Sequence, residues 1–149
     1  MDDFSSLSDE ALSKLILESR ATSQRVGFST DDISDRVKKF RELYDRLSTK
    51  PESPALLYKE PGAASVHFIT LGEKLVIGRS ADCGLTFDDE TMGRRHFEII
   101  FDRGVYRARD LESLNGTYIN NSSQGIKEID LVSGDIILAG DVIFGFFGG

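Results

Sequence analysis

Three short stretches carry the residues that could do chemistry: Gly78-Arg79-Ser80, Gly93-Arg94-Arg95-His96 and Ser113-Leu114-Asn115-Gly116-Thr117. Arginine forks match the oxygens of a phosphate, and their charge does not titrate away. Small neighbours such as Ser80 and Gly93 let main-chain N–H groups approach an anion. Asn115 has both a donor and an acceptor, so it can grip a peptide main chain passing the anion. An anion and a peptide held together by loops amount to recognition of a phosphorylated segment.

Other chemistries fit these residues less well. His67 and His96 are the only histidines and Cys83 is the only cysteine, with no zinc-ligand spacing among them. Ser80 or Ser113 could be imagined beside His96, but neither lies in a nucleophile-elbow sequence. No catalytic residue, metal or cofactor is therefore expected. The bland readings run beside these. His96 opens an apolar strand and reads as a hydrogen-bonded structural histidine. Gly93 could serve a positive φ, and Asn115-Gly116 could be only a turn. Arg95 reads as a solvated strand-edge charge, His67 as a surface or edge residue, and Cys83 as a core thiol.

The elements that must position these loops are β-strands. From Pro54 onwards ten short runs, from "ALLYKE" to "VIFGFF", alternate with turns rich in Gly, Asp, Asn and Ser. This pattern predicts a mainly β sandwich, with "DRG" at 102–104 as a short hairpin loop. The first 50 residues differ. Residues 7–20 read as a helix capped by Ser8. A second helix, over about 30–48, places Ile33, Val37, Phe40, Tyr44 and Leu47 at steps of four and three, with Leu43 beside them. That stripe must bury against the first helix, the downstream domain or a second copy of the chain. Ser29 or Thr30 would cap it. Thr30 is also conceivable as a phosphorylated segment bound by its own chain. Pro51 and Pro54 end the helical part. The expected organisation is a helical region over 1–50, a linker over 51–54 and a β-domain over 55–149.

The 149 residues are 40% hydrophobic, enough for one core, and carry a net charge of −7. That balance disfavours nucleic acid as a partner. No signal-peptide core and no apolar run of membrane-spanning length is present, so a cytoplasmic protein is expected.

In these blocks and their order, residues from about 54 to 149 resemble the forkhead-associated (FHA) domain family. The resemblance implies an eleven-stranded β-sandwich, preceded here by two helices, whose apical loops bind phosphothreonine peptides. It implies that Arg79 contacts the phosphate with help from Ser80, Arg94 and Arg95. It gives Asn115 the peptide main chain, and makes Gly78, His96, Gly116 and Thr117 supports of the loops. Two positions depart from the pattern. Gly93 stands where the family has a serine whose hydroxyl donates to the phosphate, and Leu114 where it often has threonine or serine. A domain that kept this sandwich but binds partners without phosphate, assembling through the helix at 30–48, is the alternative implied by those departures.

Overall fold

The computed structural model describes residues 33–120 and 124–149. The expected helix over 7–20, and Ser29 and Thr30, lie outside them. Helix α1 spans Ile33–Asp45. The strands are β1 (Ala55–Lys59), β2 (His67–Thr70), β3 (Lys74–Gly78), β4 (Leu85–Thr86), β5 (Phe97–Asp102), β6 (Val105–Asp110), β7 (Thr117–Ile119), β8 (Glu128–Asp130), β9 (Ile136–Ala139) and β10 (Val142–Phe147).

Each of the ten apolar runs thus becomes one strand. The eleventh strand implied by the resemblance is not found among the described residues, which hold ten strands and one of the two expected helices. Several of the connections among the described residues are taken up by turns. Asn120 turns the chain after β7 with φ 35°. The turn between β8 and β9 is closed by Asp135, whose carboxylate accepts from Val132 N at 2.8 Å. The loop after β6 is consumed by turns of its own, described below.

Two five-stranded sheets face each other, in the orders β2-β1-β10-β9-β7 and β4-β3-β5-β6-β8. Only β3 and β4 pair in parallel; the remaining pairs are antiparallel. The β5–β6 hairpin turns at Arg103 and Gly104, both at positive φ (53° and 82°), with Asp102 facing Val105. This two-residue turn matches the twist of the strands it joins, as the "DRG" signal predicted.

The strand period of two divides the apolar residues between two layers. Leu56, Ile77, Phe97, Ile99, Ile119, Ile137 and Phe144 fill the space between the sheets. Phe144 meets Phe87 and Phe97 edge-on, at centroid distances of 5.6 and 5.2 Å. Their neighbours Leu57, Tyr118, Ile136, Leu138 and Ile143 point to the other side of the first sheet. There they pack with Val37, Phe40, Leu43 and Tyr44 of α1. The amphipathic stripe therefore buries against the downstream sandwich, one of the three partners open to it. β9 and most of β10 are consequently buried on both faces.

Past α1, Lys50 donates to the carbonyls of Asp45 and Leu47 at 3.3 and 3.1 Å. A cation there suits the negative end of the helix. No helix among the described residues is long and apolar enough to cross a membrane.

Candidate functional site

The loops after β3, before β5 and after β6 are tied to one another by their main chains. Arg79 N donates to Gly93 O at 2.8 Å, and Ser80 N to Arg94 O at 3.0 Å. Arg79 Nε donates to Met92 O at 3.1 Å. Cys83 Sγ donates to Arg94 O at 3.1 Å. Three consecutive carbonyls, Met92 to Arg94, are thus engaged by the loop that follows β3. Gly78 makes this approach physically accessible, because a Cβ there would stand 2.3 Å from Arg94 O. Burial raises the Cys83 thiol above its usual value, with Asp82 adding to the effect. The protonated thiol is the form that can donate to Arg94 O.

His96 joins the second loop to the third. Its Nδ1 accepts from Gly93 N, and its Nε2 lies against Gly116 O, both at 2.9 Å. A carbonyl only accepts, so the ring is the neutral tautomer with hydrogen on Nε2. Burial lowers the His96 pKa, although the bond to Gly116 and the charge of Asp110 act the other way. With both ring nitrogens engaged by main chain, His96 is a brace, as its place at the head of an apolar strand predicted. No serine hydroxyl bonds it among the described residues. Ser113 Oγ donates instead to Asp110 at 2.6 Å.

The third loop folds around Asp110. Its carboxylate accepts from Ser113 N, Ser113 Oγ and Thr117 Oγ1. Gly116 N then donates to Ser113 Oγ at 3.0 Å. Gly116 has φ 83°, and a Cβ there would lie 2.9 Å from the Tyr118 ring. Asn115 is buried, and its Nδ2 donates to Thr91 O at 3.0 Å, which binds this loop to the one before β5. Asp89 in turn accepts from Thr91 N and Thr91 Oγ1.

Sequence reasoning missed Asp110 and Asp89, and saw Thr91 only as a candidate phosphate donor and not as the loop tie it is. The available signal was a short acidic side chain followed at two or three residues by a serine or threonine, the pattern of a side-chain-closed turn.

The arginines differ in their surroundings. Arg79 and Arg94 are exposed and make no ion pair among the described residues. With its Nε held by Met92 O, the Arg79 guanidinium keeps its two terminal nitrogens for another acceptor. Arg95 faces Asp82 at 3.9 Å, with both side chains more than half exposed, a pairing that contributes little. The Arg94 and Arg95 N–H groups have no acceptor among the described residues.

Gly93 does not adopt a positive φ, and a Cβ there would find its nearest neighbours at 3.6 Å. The expectation that backbone conformation requires this glycine is therefore corrected: the position has room for a side chain. Leu114 is 88% exposed. His67 lies exposed on the edge strand β2, with Ser65 Oγ 3.3 Å from its Nε2. No group of three His, Cys, Asp or Glu side chains able to hold a metal occurs among the described residues.

Comparison with known proteins gives this arrangement its context. The family model of the FHA domain matches residues 75–140. An oxoglutarate dehydrogenase inhibitor of Corynebacterium jeikeium (strain K411) is 34% identical over 100 residues, which span 66% of this chain and 68% of that one. Among solved structures, the FHA domain of FhaA, complexed with the intracellular domain of Rv3910, superposes with a TM-score of 0.55. It is 32% identical and covers 63% of this chain and 99% of its own. A second structure, described in terms of phosphothreonine-dependent FHA domain interactions, gives 0.53 at 28% identity. It covers 64% of this chain and 97% of its own. On the strength of the matched sequence and the shared sandwich, this chain belongs to the FHA domain family.

Proposed function

We propose that the chain is a non-catalytic reader of threonine-phosphorylated protein segments, serving signalling or assembly. The observation that carries this reading is Arg79. Its guanidinium is exposed, pinned at Nε by Met92 O, and without a carboxylate partner among the described residues. It belongs to the first of three loops that are braced in series, the first to the second and the second to the third. Arg94 adds a second unpaired cation, and the main-chain N–H groups of Arg94 and Arg95 add donors. Ser80, whose own hydroxyl has no partner among the described residues, and Arg95 are further contacts in this reading. Asn115 would serve the peptide main chain in addition to its bond to Thr91.

The supports give the phosphate a site that need not reorganise on binding, which limits the cost of association. Among the groups that could replace the absent serine hydroxyl at 93, two are already engaged. Thr91 Oγ1 donates to Asp89 and accepts from Asp141 N, and Gly93 N donates to His96. Arg94 and Ser80 remain.

Fluorescence anisotropy against a degenerate phosphothreonine peptide library tests the reading, with the unphosphorylated library as control. Binding is expected only to the phosphorylated library. Arg79→Ala should weaken it about tenfold to a hundredfold, the worth of a hydrogen bond to a charged group.

The second reading, a phosphate-independent interaction domain, is favoured by Gly93 and Leu114, which lack the hydroxyls of the family pattern. Equal binding to both libraries, unchanged in Gly93→Ser, would establish it in place of the first.

A further inference from the structure

We propose that Asn115-Gly116 is a latent modification site: an imide-forming pair held inert by the third loop, in which Asn115 turns irreversibly into aspartate or isoaspartate once that loop opens. The proposal concerns the chemistry of the chain itself and stands whether or not the loops read a phosphorylated segment.

The chain has three asparagines, and of these only Asn115 precedes a glycine. Glycine has no side chain to shield its own nitrogen and enters strained conformations freely. In the reaction a base removes the Gly116 N–H proton, and the nitrogen attacks Asn115 Cγ. A Cγ–N bond forms, the Cγ–Nδ2 bond breaks, and the amide leaves as ammonia with a proton returned by the solvent. Water then opens the cyclic imide at one of its two carbonyls, giving aspartate or isoaspartate.

The folded loop engages both reacting groups elsewhere. The Gly116 N–H, which must lose its proton, donates to Ser113 Oγ at 3.0 Å. Ser113 is itself fixed, its N–H and its hydroxyl both donating to the Asp110 carboxylate. Asn115 Nδ2, the leaving group, donates to Thr91 O at 3.0 Å, and the residue is only 7% exposed. On its carbonyl side Gly116 is held by His96 Nε2 at 2.9 Å. These bonds must break before the nitrogen can reach Cγ and before water can reach the amide. Reaction therefore proceeds from the minority of molecules whose loop has opened, at a rate set by that population. The product does not restore the loop. Aspartate at 115 would set a carboxylate oxygen against the Thr91 carbonyl, two acceptors with no hydrogen between them. Isoaspartate also adds a carbon to the main chain. Either product cuts the tie between the third loop and the loop before β5.

The test incubates the full chain at mildly alkaline pH, native and in urea. Residue 115 is followed by peptide mapping and by labelling with an isoaspartyl methyltransferase. Conversion in urea should outrun native conversion by more than about tenfold, because at least two hydrogen bonds must open first. Ser113→Ala, folded by circular dichroism, should convert about fivefold to tenfold faster than wild type, the worth of one such bond. The purified product should have a lower urea midpoint than the unmodified chain. In wild type, protection of the Gly116 N–H against hydrogen exchange should match the native slowing of conversion within about threefold, since both report the same opening. A native rate within about twofold of the rate in urea overturns the inference, as does a folded Ser113→Ala no faster than wild type. Should Ser113→Ala fail to fold, the exchange comparison decides. A slowing that differs from the Gly116 protection by more than about tenfold overturns the inference.

Discussion

Two glycines of the site differ in what a side chain would meet, and their substitutions should diverge accordingly. A Cβ on Gly78 would stand 2.3 Å from Arg94 O and 2.9 Å from Arg95 Cα. Gly78→Ala must push the first two loops apart, and should cost about 1–3 kcal/mol, the range for overpacking, measured by urea denaturation. It should also weaken phosphopeptide binding, because Arg79 N and Ser80 N lose their acceptors. Gly93→Ser would meet only ordinary contacts, with His96 at 3.6 Å, and needs no positive φ. It should leave stability within about 0.5 kcal/mol and raise phosphopeptide affinity about tenfold by supplying the missing donor. His96 sets a pH dependence. Its folded pKa lies below the ordinary 6.5, so the unfolded chain binds the proton more readily. Its contribution to stability is complete above about pH 6.5 and is lost as pH falls from there through the lowered folded value. Urea midpoints should therefore drop on acidification across that window, and the drop should survive replacement of the exposed His67 by Gln. At this scale the motif residues were legible in the sequence, because arginine, asparagine and glycine in turn contexts announce an anion site. The acceptors that hold them were not, since Met92 O, Gly93 O and Arg94 O are main-chain groups, which every residue possesses and none advertises.

Among the elements, α1 changes what the sandwich is. Phe40 is fully buried between the helix and the first sheet. Phe40→Ala should cost about 3–5 kcal/mol in urea unfolding. Removing residues 1–50 would uncover Leu57, Tyr118, Ile136, Leu138 and Ile143 together, a contiguous apolar face that soluble monomers seldom present. The shortened chain should self-associate in a light-scattering concentration series where the full chain does not. Equal monomers for both would show that the helix is dispensable cover. The helix itself was plain in its spacing, but an amphipathic stripe states that it buries and not against what. A second signal did point to the partner. "IILA" and "VIFGFF" lack the polar alternation of a strand with one wet face, and such continuous apolar runs belong to strands covered on both sides. The eleventh strand had no run of its own in the sequence. It came only with the family resemblance, and the described residues hold no strand for it.

Over the whole molecule, helix and sandwich share one packed body. Tyr44 of α1 and Tyr118 of β7 sit in the same cluster, so unfolding followed by tyrosine fluorescence and by far-ultraviolet dichroism should give superimposable transitions. Two separated transitions would mean that the helix leaves first. The mainly β class was legible in the spacing of turns. The order of strands within the two sheets was not, because β1–β10 and β3–β5 pairing joins segments far apart in the chain, and local pattern carries no record of it. The three carbonyls that anchor the second loop have an evolutionary and practical consequence. Since Met92, Gly93 and Arg94 hold the loop by their backbones, position 93 bears no side chain and those of Arg94 and Arg95 are exposed, Arg95 with only a weak pairing to Asp82. They form a short cassette that natural drift or a randomised library can rewrite, giving new ligand preferences on an unchanged frame.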